Sequence, residues 1–65
     1  AQLAHAFGRR LRALRKERSL SQEELGWRAG TCRTWISHIE CGTACPTIAS
    51  LYRLALALGV PLAAL

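Results

Sequence analysis

Four polar side chains that are capable of hydrogen bonding lie on one side of a short segment near the middle of the chain. They are Arg33, Thr34, Ser37 and His38. Residues three or four apart share one face of an α-helix, so these side chains would form one surface while Cys32, Ile36 and Ile39 face the opposite way. The pattern predicts a helix that packs through its apolar face and leaves the polar face free to contact a partner.

The residues before this helix carry start and stop signals for a second short helix. Ser21 is followed three residues later by Glu24, the spacing of a capping box, in which the hydroxyl and the carboxylate each bind a backbone N–H. Gly30 offers the left-handed conformation that ends many helices, and Gly42 does the same for the later helix. The sequence therefore predicts two short helices joined by a tight turn between Ser21 and Gly42.

The run LSQEELGWRAGTCRTWISHIECG, residues 20–42, resembles the helix-turn-helix of the lambda and 434 repressor and Cro family, also called the XRE family. The matching features are the Ser-Gln start, the Glu-Leu pair at 24–25, the small residue at 29 with Gly30, and the I-x-x-I-E-x-G ending. The resemblance continues through F-G-x-R-L-R-x-L-R before this run and L-x-x-L-A-x-A-L-G-V after it. It implies one all-α domain over residues 1–65, a compact bundle of four to five short helices with its helix-turn-helix core at 21–42.

The resemblance also implies double-stranded DNA as a partner, because in this family the second helix of the pair enters the major groove. At matching positions, the base-reading side chains would be Arg33, Thr34, Ser37 and His38. The side chains at phosphate-contacting positions would be Gln22, Cys32, Cys41 and Thr43. The family pairs an Arg on its first helix with a Glu on its third, here Arg15 and Glu40. The implied function is transcription regulation of the repressor type, with a homodimer as a further partner and no cofactor or metal.

Charge and length agree with this expectation without establishing it. The net charge of +5 and pI near 10.1 favour a polyanionic partner. Arg outnumbers Lys eight to one, which suits bidentate contacts to phosphate and guanine and is equally typical of a GC-rich genome. No run approaches the roughly 18 apolar residues of a membrane span, so a cytoplasmic location is predicted. The chain has no Asp and no arrangement of nucleophile, base and orienting group, which argues against an enzyme.

Three flanking segments complete the predicted bundle. A first helix over about residues 1–18 would turn Leu3, Phe7, Leu11 and Leu14 inward, with a basic outer surface interpreted as solvated rather than as a phosphate contact. A fourth helix would begin after the cap Thr47 and end at Gly59, with these residues inward: Ile48, Leu51, Leu54, Ala55 and Leu58. A short fifth helix would start at Pro61.

The three cysteines support an alternative function. Cys32 stands where a capping Ser or Thr is usual and is a poor acceptor. Cys32 and Cys41 lie nine residues apart, about 13 Å along a helix, too far for a disulfide, whereas Cys41 and Cys45 are close enough in sequence to approach. Their spacing matches no zinc motif, so no metal site is predicted. The alternative is a protein-interaction or redox- or effector-sensing module with weak DNA binding, motivated by these thiols and by Trp27 and Trp35.

Overall fold

The computed structural model describes residues 2–65, with side chains from residue 3 onward, and contains four α-helices that we number in chain order. Their bounds are α1 Gln2–Glu17, α2 Gln22–Arg28, α3 Arg33–Glu40 and α4 Ile48–Leu58. Leu62–Ala64 forms a turn of 3-10 helix in place of the predicted fifth helix. No strand occurs within residues 2–65, so the all-α class is confirmed. Ala1, predicted to open the first helix, lies outside the described residues.

The start of α2 is fixed by the capping box that its sequence predicts. Ser21 Oγ accepts a hydrogen bond from the Glu24 N–H at 3.0 Å, and Glu24 Oε1 accepts one from the Ser21 N–H at 2.9 Å. The Ser21 backbone N–H, followed by its hydroxyl, lowers the pKa of the Glu24 carboxyl, because both groups stabilise the charged form. Helix α2 therefore begins where the local sequence places it.

The turn between α2 and α3 depends on two glycines. Gly30 has φ +73°, and the Thr31 N–H donates to the Gly26 carbonyl oxygen at 2.8 Å, which closes the end of α2. A Cβ atom on Gly26 would lie 2.8 Å from the carbonyl carbon of Cys32. The missing side chain at residue 26 thus lets the two helices approach closely at the turn.

All four helices contribute to one hydrophobic core. Its completely buried large side chains are Leu11, Leu25, Ile36, Ile39 and Leu54. Leu14, Ala55 and Leu58 are also buried, as their spacing predicted, while Phe7 is partly buried against the core. Because no single helix of this length buries enough apolar surface alone, each helix depends on the others for its stability.

Two predicted core residues and one predicted packing residue are exposed instead. Leu3 is 83% exposed because the buried stripe of α1 begins at Ala4 and continues through Gly8, one residue out of phase with the prediction. A Cβ atom on Gly8 would lie 2.8 Å from the Glu40 carbonyl oxygen, so α1 crosses directly against the α3 backbone. Cys32 is exposed because it precedes α3 in an extended conformation and does not follow the helical face.

Ile48, predicted to face inward, is 79% exposed. It opens α4, and it lies three residues before Leu51 on the inner side but four before Tyr52 on the outer side. Tyr52 and Leu56 are also exposed, at 57% and 63%, so Ile48 joins them in a stripe with four-residue spacing. We call Ile48, Tyr52 and Leu56 the α4 stripe.

Two arginines of the first segment fasten the C-terminal part of the chain. Arg18 Nε donates to the Leu58 carbonyl oxygen at the end of α4, and Arg10 Nε donates to the Ala64 carbonyl oxygen at 2.9 Å. Cationic groups at the carbonyl end of a helix also complement its dipole. These two basic side chains therefore bind within the molecule.

Candidate nucleic-acid interface

The outward face of α3 presents a row of unengaged polar side chains. Arg33, Thr34 and His38 are exposed and Ser37 is half-buried, while Ile36 and Ile39 on the opposite face are completely buried. Within the described residues, none of the four polar side chains forms an intramolecular hydrogen bond. Their donors and acceptors are thus available to a partner, and the predicted base-reading residues do share one surface.

An open groove of about 570 Å³ runs beside this face, between α1, the start of α2 and α3. Its walls include Gln22, Arg33 and Cys41, which brings two predicted phosphate positions next to a predicted base-reading residue. Arg12 lines the same groove, although the sequence predicted only a solvated outer surface for the basic residues of α1. The signal for Arg12 was its place three residues before Arg15, on the same side of α1.

Arg15 and Glu40 meet beneath this groove. Arg15 Nε donates to Glu40 Oε2 at 2.6 Å, and Arg15 Nη2 donates to Glu40 Oε1 at 3.1 Å. Arg15 Nη1 donates to the Leu20 carbonyl oxygen at 2.8 Å. The two side chains are only 11% and 5% exposed, so the pair joins α1, the following connector and α3 in a nearly dry environment.

Gln22 is the first residue of α2 and has a partner of its own. Its Nε2 donates to Glu40 Oε1 at 3.2 Å. A glutamine amide has two N–H donors, so one of them remains available after this bond is formed. The structure therefore places the Gln22 side chain at the groove, anchored at one donor.

The other three predicted phosphate residues lie around α3. Cys32 is the N-cap of α3 and forms no capping hydrogen bond with its side chain, as expected for a thiol. Cys41 is exposed at the opposite end of the helix. Thr43 donates to the His38 carbonyl oxygen through its hydroxyl at 3.0 Å and its backbone N–H at 2.9 Å, so both of its donors are occupied.

The cysteines and tryptophans occupy different environments. All three thiols are free and exposed, and no group of three or more His, Cys, Asp or Glu side chains is arranged around a metal position in the part of the chain described. Trp35 is half-buried and packs against the core. Trp27 is 82% exposed on α2, so its ring does not fold over neighbouring apolar surface. None of the helices among residues 2–65 combines the length and the apolar character required to cross a membrane.

Helix α3 follows α2 after a tight turn, has an unengaged polar face and lies beside a groove that contains arginines. This arrangement defines a helix-turn-helix domain. A family model described as "Helix-turn-helix domain" matches residues 6–65, and the chain belongs to this family. The resemblance to XRE-type repressors is confirmed by this match together with the relatives described next. The relatives described next are regulators and repressors, which agrees with the predicted class of function, DNA-binding transcription regulation.

Similar proteins carry the same domain. The chain is 47% identical over 47 residues to an uncharacterized HTH-type transcriptional regulator, y4dJ, of Sinorhizobium fredii, covering 72% of this chain and 61% of that protein. It is 36% identical over 58 residues to the immunity repressor protein of Bacillus phage phi105, covering 89% and 40%. The crystal structure of the restriction-modification controller protein C.AhdI from Aeromonas hydrophila superposes with a TM-score of 0.96 at 31% identity, covering 98% of this chain and 97% of that chain. This chain therefore spans less than two thirds of the two curated relatives.

Proposed function

We propose that this chain binds duplex DNA sequence-specifically and regulates transcription, with α3 inserted into the major groove. The observation that carries the proposal is the polar face of α3, whose four side chains are unengaged and stand beside a groove containing Arg12 and Gln22. The family match supports it, since a helix-turn-helix places its second helix against base edges. As a DNA-binding regulator, the protein would act in the cytoplasm.

Base reading is assigned to the exposed face of α3. Arg33 would donate two hydrogen bonds to the O6 and N7 atoms of guanine, because its guanidinium fork fits that pair of acceptors. Thr34 would contact a thymine methyl group, and His38 would donate to a purine acceptor one turn later. Ser37 would assist from its half-buried position. A bidentate contact of this kind contributes about 1–3 kcal/mol of discrimination between base pairs.

Phosphate binding is assigned mainly to the groove and the start of α2. The free N–H of Gln22 and the first backbone N–H groups of α2 would meet one phosphate where the helix dipole favours an anion. Arg12 would add a charged contact from the opposite wall of the groove. Cys32, Cys41 and Thr43 remain proposed phosphate neighbours, with weaker donors, and Thr43 would have to release its bond to His38.

A second copy of this chain is the proposed protein partner. The α4 stripe exposes three large apolar side chains on one helix face. A charged residue, Arg53, lies at the edge of this stripe. Pairing of two such stripes by a two-fold axis would bury them and present two α3 helices to one side of the DNA. For a symmetric dimer, the half-sites would then lie about 34–36 Å apart or at a multiple of this distance.

One experiment tests the assignment directly. The protein is used to enrich sequences from a pool of randomised duplexes at near-physiological salt, and binding to one arbitrary duplex is titrated with salt in parallel. We expect a short enriched motif, repeated about one helical turn away if the dimer forms. Weak, steeply salt-dependent binding without any motif would mean that the positive charge only adheres to phosphates, and would refute sequence-specific recognition.

Trp27 favours a second candidate function, protein recognition by the outer face of α2. An indole 82% exposed on a domain this small is the kind of side chain that anchors protein interfaces. In this case the domain would use α2 to contact another protein and bind DNA weakly. A Trp27→Gln variant separates the candidates, since it should leave the enriched DNA motif unchanged while removing contact with a protein partner.

A further inference from the structure

The Glu40 carboxylate receives more hydrogen bonds than an ion pair with Arg15 requires. Oε2 accepts from Arg15 Nε, while Oε1 accepts both from Arg15 Nη2 at 3.1 Å and from Gln22 Nε2 at 3.2 Å. The Glu40 side chain is 5% exposed, so these donors compete with almost no water. One carboxylate thus joins side chains from α1, α2 and α3.

The bond to Glu40 restrains a side chain that would otherwise rotate freely. Gln22 opens α2 at the edge of the groove, where a glutamine fixed only by its backbone samples many rotamers. With one N–H on Glu40, the amide plane is fixed and the second N–H remains for an external acceptor. The restraint exists in the protein without DNA.

We infer that Glu40 is a positioning residue for phosphate recognition, holding the Gln22 amide in its binding orientation before DNA arrives. This inference rests on the proposed function, which supplies the phosphate. A buried carboxylate below an anion site would ordinarily repel the anion, but Arg15 pairs with it through two bonds, so the pair adds no net charge to the groove. Glu40 therefore orients the amide without opposing the phosphate.

The expected gain comes from preorganisation. Immobilising a flexible side chain at an interface costs about 0.5–1.5 kcal/mol, which corresponds to roughly 2- to 10-fold in affinity. If Glu40 has already fixed Gln22, this entropic loss does not accompany DNA binding. The gain should be independent of salt, because no additional phosphate charge is neutralised.

The first test uses the protein alone. The sequence contains two Gln and no Asn, so side-chain amide signals of Gln22 are readily assigned in a nitrogen-15 NMR spectrum. We expect an order parameter close to that of rigid backbone, about 0.8, for the Gln22 side-chain amide. Replacement of the pair by Arg15→Met with Glu40→Leu keeps the net charge and the packed volume and should release this amide to below about 0.6.

The second test is a cycle of affinities for one duplex at fixed salt. The paired variant should bind roughly 2- to 10-fold more weakly than the unmodified protein with the same salt dependence, and should cause no further loss in a Gln22→Ala background. A matched control, Lys16→Gln with Glu17→Gln, replaces two exposed charged side chains of α1 and leaves the net charge unchanged. It should preserve both the affinity and the order parameter.

Either of two results overturns the inference. One is a mobile Gln22 amide in the unmodified protein, and the other is a full additional loss of affinity when the pair is replaced in the Gln22→Ala background. Failure of the proposed function looks different, because the unmodified protein would then enrich no motif from the duplex pool. A rigid Gln22 amide in a protein that binds no duplex would leave Glu40 with a structural role only, and would reject the positioning role together with DNA recognition.

Discussion

At the residue scale, Arg33 and Glu40 show how one short helix uses charge in two ways. Arg33 begins α3 on the exposed face and makes no bond within the described part of the chain. Glu40 ends α3 with its side chain almost completely buried and three donors around its carboxylate. Substitution of Arg33 should therefore affect recognition, whereas substitution of Glu40 should affect the fold first.

Replacing Arg33 with alanine should relax sequence preference at one base pair. Loss of a bidentate contact to guanine removes about 1–3 kcal/mol of discrimination, with a general loss of affinity from the missing charge. Motif enrichment with the variant measures the effect. Arg28→Ala is the matched control, because Arg28 is exposed at the end of α2, lies outside the groove, and its replacement removes the same charge. An unchanged motif for Arg33→Ala would exclude it from base reading.

Replacing Glu40 with alanine should destabilise the fold by about 3 kcal/mol, because it leaves the Arg15 guanidinium nearly buried without its partner. A urea titration followed by circular dichroism gives the change in the free energy of unfolding. Glu17→Ala, which breaks an exposed pair with a 3.7 Å separation, should change stability by less than about 0.5 kcal/mol. Equal midpoints for the Glu40 and Glu17 variants would show that the buried pair contributes nothing.

At the scale of elements, the relation between the helices depends on direct backbone contact. Gly8 lets α1 cross the carbonyl end of α3, and Gly26 lets α2 meet the first residues of the α3 segment. Side-chain caps define the starts of α2 and α4, at Ser21 and Thr47, whereas α3 begins without one. The position of α3 is thus set by close backbone contacts at Gly8 and Gly26, where neither residue has a side chain.

Replacing Gly8 with alanine should destabilise the protein by about 1–3 kcal/mol. In an exposed helix that packs against nothing, the same substitution stabilises the helix by up to about 1 kcal/mol. The sign of the change therefore shows whether Gly8 lies against another backbone. Here the new Cβ atom would meet the carbonyl oxygens of Ile39 and Glu40, which are backbone atoms and cannot rotate away. Thermal unfolding measures the change, and a raised melting temperature would contradict the close crossing.

The capping box makes the stability of α2 dependent on pH. The Ser21 N–H and hydroxyl lower the pKa of the Glu24 carboxyl in the folded protein. The stabilisation by Glu24 is therefore complete above the unfolded-state pKa and is lost as pH falls through the lower folded-state pKa. Lowering the pH from about 7 to 3 should reduce the stability of the unmodified protein more than that of Glu24→Gln, whose amide does not titrate in this range. Equal losses in the free energy of unfolding for the two proteins, measured by urea titration, would argue against a contribution from the Glu24 carboxylate.

At the scale of the whole molecule, the proposed function uses two separate binding surfaces. The α3 face and its groove are assigned to DNA, and the α4 stripe is assigned to a second copy of the chain. Three of the basic side chains, Arg10, Arg15 and Arg18, are bound within the molecule. Their guanidinium groups are therefore engaged, and direct contacts to a polyanion would come from the remaining basic residues, of which Arg12 and Arg33 line the groove.

Replacing Ile48 and Leu56 together with glutamine should weaken self-association, because it makes the stripe polar without changing net charge. Analytical ultracentrifugation measures the association, and affinities for duplexes with one or two half-sites measure its effect on DNA binding. We expect weaker binding to two half-sites and unchanged binding to one. Trp27→Gln is the control, since Trp27 is equally exposed outside the stripe; if it alone abolished association, the interface would lie on α2 instead.

Local signals predicted much of this fold. The Ser21–Glu24 box and the turn at Gly30 act within about one helical turn, so they are readable without knowledge of neighbours. Leu3 and Ile48 were assigned to the core incorrectly, because both stand at the end of a helix, where the buried phase depends on the element packed against it. Arg12 was missed because only the packing of α1 and α2 against α3 creates the groove. The identity of the DNA-contacting residues stays a prediction.

The unengaged side chains on the outer face of α3 have an evolutionary consequence. Because these side chains hold no other part of the protein in place, most substitutions at their positions should change the free energy of unfolding by less than about 0.5 kcal/mol. Under the proposed function, a lineage carrying this scaffold would acquire a new operator through a few mutations at residues 33, 34 and 38, without compensating changes in the core. Libraries randomised at these positions should accordingly contain mostly folded members with diverse binding sites.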